Sequence, residues 1–394
     1  FYSAEDADSP VPGKPGTYAE GAFYVWDKAE IATVLESESA TIFDYYYGVE
    51  TAGNTGSDSR GELSGKNVLG AAHSLEATAK KFKSSPDQIR QLLSKSRQLL
   101  YQTRARRPHP RLDDKTITAW NGLMITTFAR AFQVLGDPAF LESAQRARTF
   151  LKSRSYDPKS GTFFRRFRAG DAAIEGYTDD YAFLIQGLLD LYESSFEIAD
   201  LQWAIRLQTQ QNQLFEDKER GGFFTTRAAD STVLLRLKED YDGAEPSANS
   251  VTALNLLRLS QMTDNITWRR SAEGVLHAFA GHLHDSPTAM PEMLAALDFS
   301  LAKPKQIVIA GLPSAEGTQV MLRAVHELYL PNKILLLADG ADGQRELANN
   351  LDFLRGLQPL EHQATAYVCE NYTCQLPTTN LNTLRMQLEQ SKRR

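Results

Sequence analysis

Apolar positions along the chain fall into two kinds of helical run. In one kind only a single face is oily: Phe140, Leu141, Ala144, Ala147, Phe150 and Leu151 recur at helical spacing behind an Asp137-Pro138 start. Leu201–Phe215, with Asp200 as expected N-cap, and the set Trp268, Ala272, Leu276, Phe279 and Leu283 read the same way. In the other kind no narrow stripe accounts for the pattern. Ile117, Trp120, Leu123, Met124, Ile125, Phe128, Phe132, Val134 and Leu135 surround their helix, and a helix that is apolar all round is buried. Leu184–Tyr192 and Val251–Leu259 repeat that texture, and Pro291–Leu301 is a fourth candidate. Between the two kinds lie polar turns or hairpins, one around Asp157-Pro158-Lys159-Ser160-Gly161 and one joining Gly221–Phe224 to Val233–Leu235. Two concentric rings of helices explain the order, with the polar heads of the inner helices converging on one mouth.

The flanks read differently. Residues 1–26 suggest loop and short strand, Asp27 with Glu30 suggests a capping box, and Gly53–Gly65 suggests an exposed loop. Ser85-Pro86-Asp87-Gln88 is a strong helix start. From Lys303 short apolar runs at Gln306–Ala310, Lys333–Ala338 and Ala364–Cys369 alternate with helical segments, the pattern of a small parallel α/β unit. Gly311-Leu312-Pro313 lacks both the glycine-rich fingerprint and the lysine of a phosphate loop. The expected organisation is therefore a mainly α helical toroid over residues 1–302 and a small α/β unit over 303–394 packed on it.

Charge and composition narrow the partners. Hydrophobic content of 42% and charged content of 23% suit a soluble globular protein. Lys and Arg number 43 against 49 Asp and Glu, and the net charge of −6 carries no large block of one sign, which argues against nucleic acid. Arg104, Arg106, Arg107 and Arg111 cluster, but Asp113 and Asp114 follow at once. No apolar run approaches the roughly 20 residues that span a bilayer, so no membrane partner is expected. The opening Phe1-Tyr2-Ser3-Ala4-Glu5-Asp6 has neither a signal-peptide pattern nor an initiator Met, and suggests a piece of a longer cytoplasmic protein. Cys369 and Cys374 are too few for a disulfide framework, so free thiols in a reducing compartment are expected, and mild oxidation should leave their mass unchanged.

Four stretches carry a resemblance. Phe1–Ser9 with Glu20–Trp26, the segment Asp113–Ile125, Asp180–Leu184 and Asp242–Ser250 are together similar to the spermatogenesis-associated protein 20 family, whose bacterial members are YyaL-type thioredoxin-domain-containing proteins. That resemblance implies an (α/α)6 toroid of the six-hairpin glycosidase type, preceded in the family by a thioredoxin-like half. Here no Cys-x-x-Cys occurs, four inner helices are legible where six would close the ring, and Ala248 stands where the family pattern has glycine. Any redox chemistry of the parent would then lie outside this chain.

Six-hairpin toroids often handle sugars, which implies a sugar-like ligand and, for hydrolysis, two carboxyl groups of different pKa. Asp114 and Asp180, each just ahead of an oily helix, are the first candidates for catalysis, and Asp6 the next. Glu5, Asp8, Tyr24, Trp26, Asp113, Lys115, Trp120, Asn121, Tyr177, Asp179, Tyr181, Asp242, Ser247 and Asn249 are the candidate ligand contacts. Each has a plainer explanation. Asp179 and Ser247 fit helix caps, Trp120 fits core, and Asp113 or Asp114 with Lys115 or Arg111 fits a structural pair. The seven histidines avoid the inner-helix motifs, which disfavours epimerisation, and no metal or cofactor is expected. The competing reading is a non-catalytic toroid that binds a sugar or a protein.

Overall fold

The computed structural model describes all residues except 56–60, 62, 229, 231–232, 371–372 and 390–394. The chain forms two compact units, one of Tyr2–Asp114 and one of Phe1 with Lys115–Arg394.

In the first unit β1 (Ala4–Glu5), β2 (Asp8–Pro10) and β3 (Tyr18–Glu20) precede α1 (Lys28–Val34), α2 (Ser37–Tyr47), α3 (Leu75–Phe82), α4 (Pro86–Arg104) and β4 (Leu112–Asp113). Strand β2 pairs with β3, and β1 with β4. The helices close over Trp26, Ile31, Phe43, Ile89 and Leu93. Helix α4 opens on the expected box, Ser85 Oγ accepting from Gln88 N–H while the Gln88 side chain accepts from Ser85 N–H. Helix α1 does not. Asp27 accepts from Lys66, and Glu30 takes both bonds of the Arg107 fork at 2.8 Å. Arg107 is buried, donates to the Phe23 and Val25 carbonyls and lies 4.1 Å over the Trp26 ring, so it needs that carboxylate more than the helix end does. Of the expected Gly53–Gly65 loop, residues 56–60 and 62 lie outside the described residues, and the rest is turn.

The second unit begins with β5 (Thr116–Ile117), α5 (Thr118–Leu135), α6 (Pro138–Arg154), β6 (Tyr156–Asp157), β7 (Thr162–Arg168) and β8 (Asp171–Glu175). It continues with α7 (Thr178–Ser195), α8 (Ile198–Phe215), α9 (Ala248–Thr263), α10 (Ile266–Ala278), α11 (Ala280–Asp285) and α12 (Pro291–Leu301). These make an α/α-toroid arrangement: α5, α7, α9 and α12 pack side by side as inner helices, backed by α6, α8 and α10. Every residue of α7 except Asp179 and Ser195 is buried, and every residue of α9 except Leu254 and Gln261. Helix α5 departs from its all-round apolar pattern. It ends the row, so its buried side chains lie toward α6 and α7, while Trp120, Val134 and Leu135 are 42%, 74% and 67% exposed. Where α5 crosses α7, a Cβ on Gly122 would stand 2.5 Å from the Leu184 nitrogen, and one on Gly187 would stand 2.7 Å from the Gly122 oxygen. Only glycine lets the two backbones come this close.

The hairpin of β6 and β7 forms as expected, with β8 and β5 added to β7. The second expected hairpin does not form as a ladder among the described residues. A single bridge joins Glu216 to Phe223, Thr225 bonds to Leu237, and residues 229 and 231–232 lie outside the description. Asp200 is not the cap of α8 either. It lies inside the helix, buried, 3.2 Å from Arg148, and burial pushes its carboxyl up to about 6.

The C-terminal part adds β9 (Lys305–Ala310), α13 (Glu316–His326), β10 (Lys333–Ala338), α14 (Asp342–Ala348), β11 (Thr365–Glu370), β12 (Thr373–Cys374) and α15 (Leu381–Glu389). Strand order is β10-β9-β11-β12. Strands β9 and β10 are parallel, but β11 runs antiparallel, so the sheet is mixed where a parallel one was expected. The link through α14 stays at the end where β10 stops, and β11 sets off from there. One face of the sheet, with Val308, Ala310, Ile334 and Leu336, joins the core of the helical hairpins, and the other, with Ile307, Ile309 and Leu335, packs with Met321, Val325 and Leu384. Cys369 and Cys374 are bonded as a disulfide, contrary to the expectation of free thiols, because the β11–β12 hairpin sets them directly opposite each other.

Charged side chains cross the apolar interior of the inner row. Arg258 of α9 is 2.9 Å from Asp190 and 3.2 Å from Glu193, both on α7, and all three are buried. Arg130 of α5 reaches Asp190 from the other side at 3.1 Å. Burial would raise the Asp190 carboxyl, but Arg130 and Arg258 outweigh it and hold it below the usual carboxylate range. Glu193 also accepts from Leu335 N–H on the outer edge of β10, tying the sheet to the helices. Removing one partner of such a network strands a charge in the interior at about 3–5 kcal/mol. Arg258→Met should therefore lower unfolding stability by about 3 kcal/mol or more, read from the urea midpoint, whereas exposed Arg269→Met should shift it by about 0.5 kcal/mol or less.

Candidate functional site

The heads of the inner helices are held by acids and amides drawn from the preceding turns. Asp180, in the first turn of α7, is fully buried. One of its oxygens accepts from Ala119 N–H at the start of α5 at 2.9 Å, and the other from Tyr177 N–H at 2.9 Å and Arg165 at 3.2 Å. Asp180 thus joins two helix starts. Burial, with Asp179 beside it, pushes its carboxyl up to about 7 against the opposing pull of Arg165 and the two amides. Arg165, from β7, takes both Asp179 oxygens at 2.9 Å and lies 4.7 Å from the Tyr177 ring. Asp242 does for α9 and α12 what Asp180 does for α5 and α7, accepting from Ser247 N–H and from Glu292 N–H, each at 2.8 Å. Ser247 caps α9 by accepting from Ser250 N–H. Buried Asn249 clamps the long loop before α9 through Phe223 N–H, Phe223 O and Glu239 O.

Above these heads opens a groove of about 620 Å³ lined by Trp120, Asp179, Phe183, Glu239, Tyr241 and Glu245, with Ser247 and Ala248 at its base. The Trp120 indole, 42% exposed, donates from Nε1 to Glu245 at 2.9 Å. Three inner helices contribute to one opening: Trp120 from α5, Asp179 and Phe183 from α7, Ala248 from α9. Such a groove presents apolar ring surface beside carboxylate acceptors, the combination that suits a polyhydroxylated ring.

The other expected residues divide between structure and surface. Tyr181 is core, packed on Phe163 and Phe215 with its hydroxyl accepting from Phe163 N–H. Asn121 is buried and holds the Phe1 backbone, accepting from its nitrogen at 2.8 Å and donating to its carbonyl at 3.0 Å. Lys115 is half-buried. In the Tyr2–Asp114 unit, Tyr24 donates to Glu5 at 2.6 Å, Asp6 accepts from Asp8 N–H, Asp113 and Asp114 are half-buried, and Trp26 is core under Arg107. Glu239 and Tyr241 were not among the expected contacts, whereas Glu245 was expected among the carboxylates at the mouth. They lie on an irregular loop without periodicity, and the one available signal is an aromatic and two acids immediately ahead of the Asp242–Ser250 motif. Among the described residues no group of three or more His, Cys, Asp or Glu could hold a metal ion, and no helix is long and apolar enough to cross a membrane.

Comparison with known proteins bears on the family. Over 400 residues, 96% of this chain, the sequence is 43% identical to human spermatogenesis-associated protein 20. The chain belongs to the spermatogenesis-associated protein 20 family. The Rattus norvegicus member is 42% identical over 99% of the chain, and an uncharacterised Caenorhabditis elegans protein 30% identical over 98%. The chain spans about half the length of these relatives, 51% of the human protein. No family model matches it. Among solved structures it is similar to a GH76 α-mannanase of Bacteroides thetaiotaomicron, at TM-score 0.41 and 15% identity over 54% of this chain and 57% of that one. A cellobiose 2-epimerase of Spirochaeta thermophila gives TM-score 0.37 and 20% identity over 44% and 45%.

In this member of the spermatogenesis-associated protein 20 family, Asp180 should make stability depend on pH. Its folded pKa lies above the unfolded value, so the folded state binds more protons between about pH 4 and 7, and stability falls as pH rises through that window. Asp180→Asn cannot titrate and loses one acceptor. The variant should be less stable at pH 5, and the gap to the parent should narrow by on the order of 2 kcal/mol by pH 7, measured by urea unfolding at both pH values.

Proposed function

We propose that this chain binds a carbohydrate in the groove headed by Trp120, with the sugar ring stacked on the indole and its hydroxyls donating to Glu245, Glu239 and Asp179. The observation that carries this reading is the half-exposed indole locked by Glu245 inside a groove of about 620 Å³ at the heads of three inner helices. Asp180, a first candidate acid, does not serve hydrolysis at this groove. A glycosidase needs a protonated carboxyl that touches the leaving oxygen. Asp180, raised to about 7, has no exposed surface and both oxygens engaged. Asp180 is thus a positioning residue for Trp120 and Asp179.

The test is a calorimetric screen of mono- and disaccharides against the whole chain, repeated with Trp120→Ala. A sugar that binds the parent should lose about tenfold or more in affinity with Trp120→Ala, as expected for an aromatic platform, with far-UV circular dichroism unchanged. Absence of binding by every sugar, or equal affinity of the variant, overturns the proposal.

A further inference from the structure

The α/β part carries a second cleft, larger than the groove and unrelated to it in sequence. It opens at the carboxyl end of β9 and has a volume of about 940 Å³. Strand β9 has β10 on one side and β11 on the other, reached by connections that leave in different directions. A crevice outside a strand's carboxyl end, where the connections diverge, is the usual ligand position in open α/β sheets. The floor is the turn from β9 into α13.

Three features of that turn point to an anionic group. The amides of Glu316, Gly317 and Thr318 are in the first turn of α13 and have no intrahelical acceptor, and Ala315 at the N-cap position offers no side-chain acceptor. Gly317 adds no side chain in front of them. The Thr318 hydroxyl has no hydrogen-bond partner although the residue is fully buried, and it lies in the cleft lining, in the space that a side chain on Gly311 would occupy. An orphaned buried hydroxyl costs stability, and Thr318 is the one residue with such an atom among the described residues lining this cleft.

The rim sets the rest of the ligand. Glu316 and Glu361 line the cleft beside His362, the two carboxylates oppose a polyanion such as a nucleotide, and Leu312, Val320 and Met321 supply an apolar wall. We propose that this cleft binds a zwitterionic small molecule of the apolar α-amino-acid class. Its carboxylate bonds to the first-turn amides of α13 and the Thr318 hydroxyl, its ammonium faces Glu316 and Glu361, and its side chain lies along Leu312, Val320 and Met321. The site is independent of the sugar groove.

The experiment is thermal unfolding of the whole chain with L-leucine, with 4-methylpentanoate (the same skeleton without the ammonium) and with inorganic phosphate. Leucine at about 100 times its dissociation constant should raise the midpoint by about 2 °C, 4-methylpentanoate by clearly less, and phosphate not at all. Thr318→Val is the decisive variant, being nearly isosteric. Without ligand it should melt about 1 °C or more above the parent, because the orphan hydroxyl is gone. With leucine it should show little further shift. Glu361→Gln should reduce the leucine response toward that of 4-methylpentanoate. The inference is overturned if leucine gives no shift, if phosphate gives the larger one, if Thr318→Val melts below the parent, or if it keeps the full leucine response.

Discussion

Arg258 sits in a helix buried along nearly its whole length, and the second unit depends on what that guanidinium finds there. Asp190 and Glu193 come from the neighbouring inner helix, Arg130 closes on Asp190 from the far side, and Glu193 passes the connection on to the edge of the β-sheet. Such groups gain little over hydrocarbon of the same shape, since desolvation offsets most of the attraction. What they supply is register. A one-turn slip of α9 against α7 would part Arg258 from Asp190 and Glu193, and the cost of an unpaired buried charge makes that slip far less tolerable than a misfit of methyl groups.

The same two helices end in a different kind of chemistry. At their heads Asp180 and Asp242 each tie two helix starts together, so the groove stands on backbone amides held by one buried and one half-buried carboxylate and not on flexible side chains. The groove wall is less constrained. Tyr241 and Glu245 belong to a loop held mainly by Asn249 and Asp242. A rigid floor with a looser rim lets ligand preference change by substitutions on the rim without disturbing the fold.

Much of this was legible in the order of residues, for physical reasons that also mark where legibility stopped. Helices α7 and α9 announce their burial because neighbours on every side demand apolar residues on every side. Helix α5 carries the same texture yet exposes Val134 and Leu135, since hydropathy records the side chains and not which neighbours are present. Strand direction has no local signature, so the antiparallel β11 could not be read, and with it went the register that sets Cys369 against Cys374. For the groove, the rule that polar heads of oily helices gather led to Trp120, Asp179 and Ser247. It missed Glu239 and Tyr241 on an aperiodic loop. The same rule also missed Asp190, Glu193 and Arg258, because it reads only the polar groups at helix heads, although a charge inside an oily run is a signal in itself.

The crossing at Gly122 and Gly187 restricts how sequences of this kind can diverge. A methyl on Gly122 meets the α7 backbone, and one on Gly187 meets the α5 backbone, so no exchange of size between the two positions relieves either clash. Core residues elsewhere can trade volume with a neighbour, large for small, and keep the packing. Here there is no partner to trade with. Homologous chains that keep these helices at this separation are thereby confined to glycine at both sites, while the apolar residues around them are free to drift.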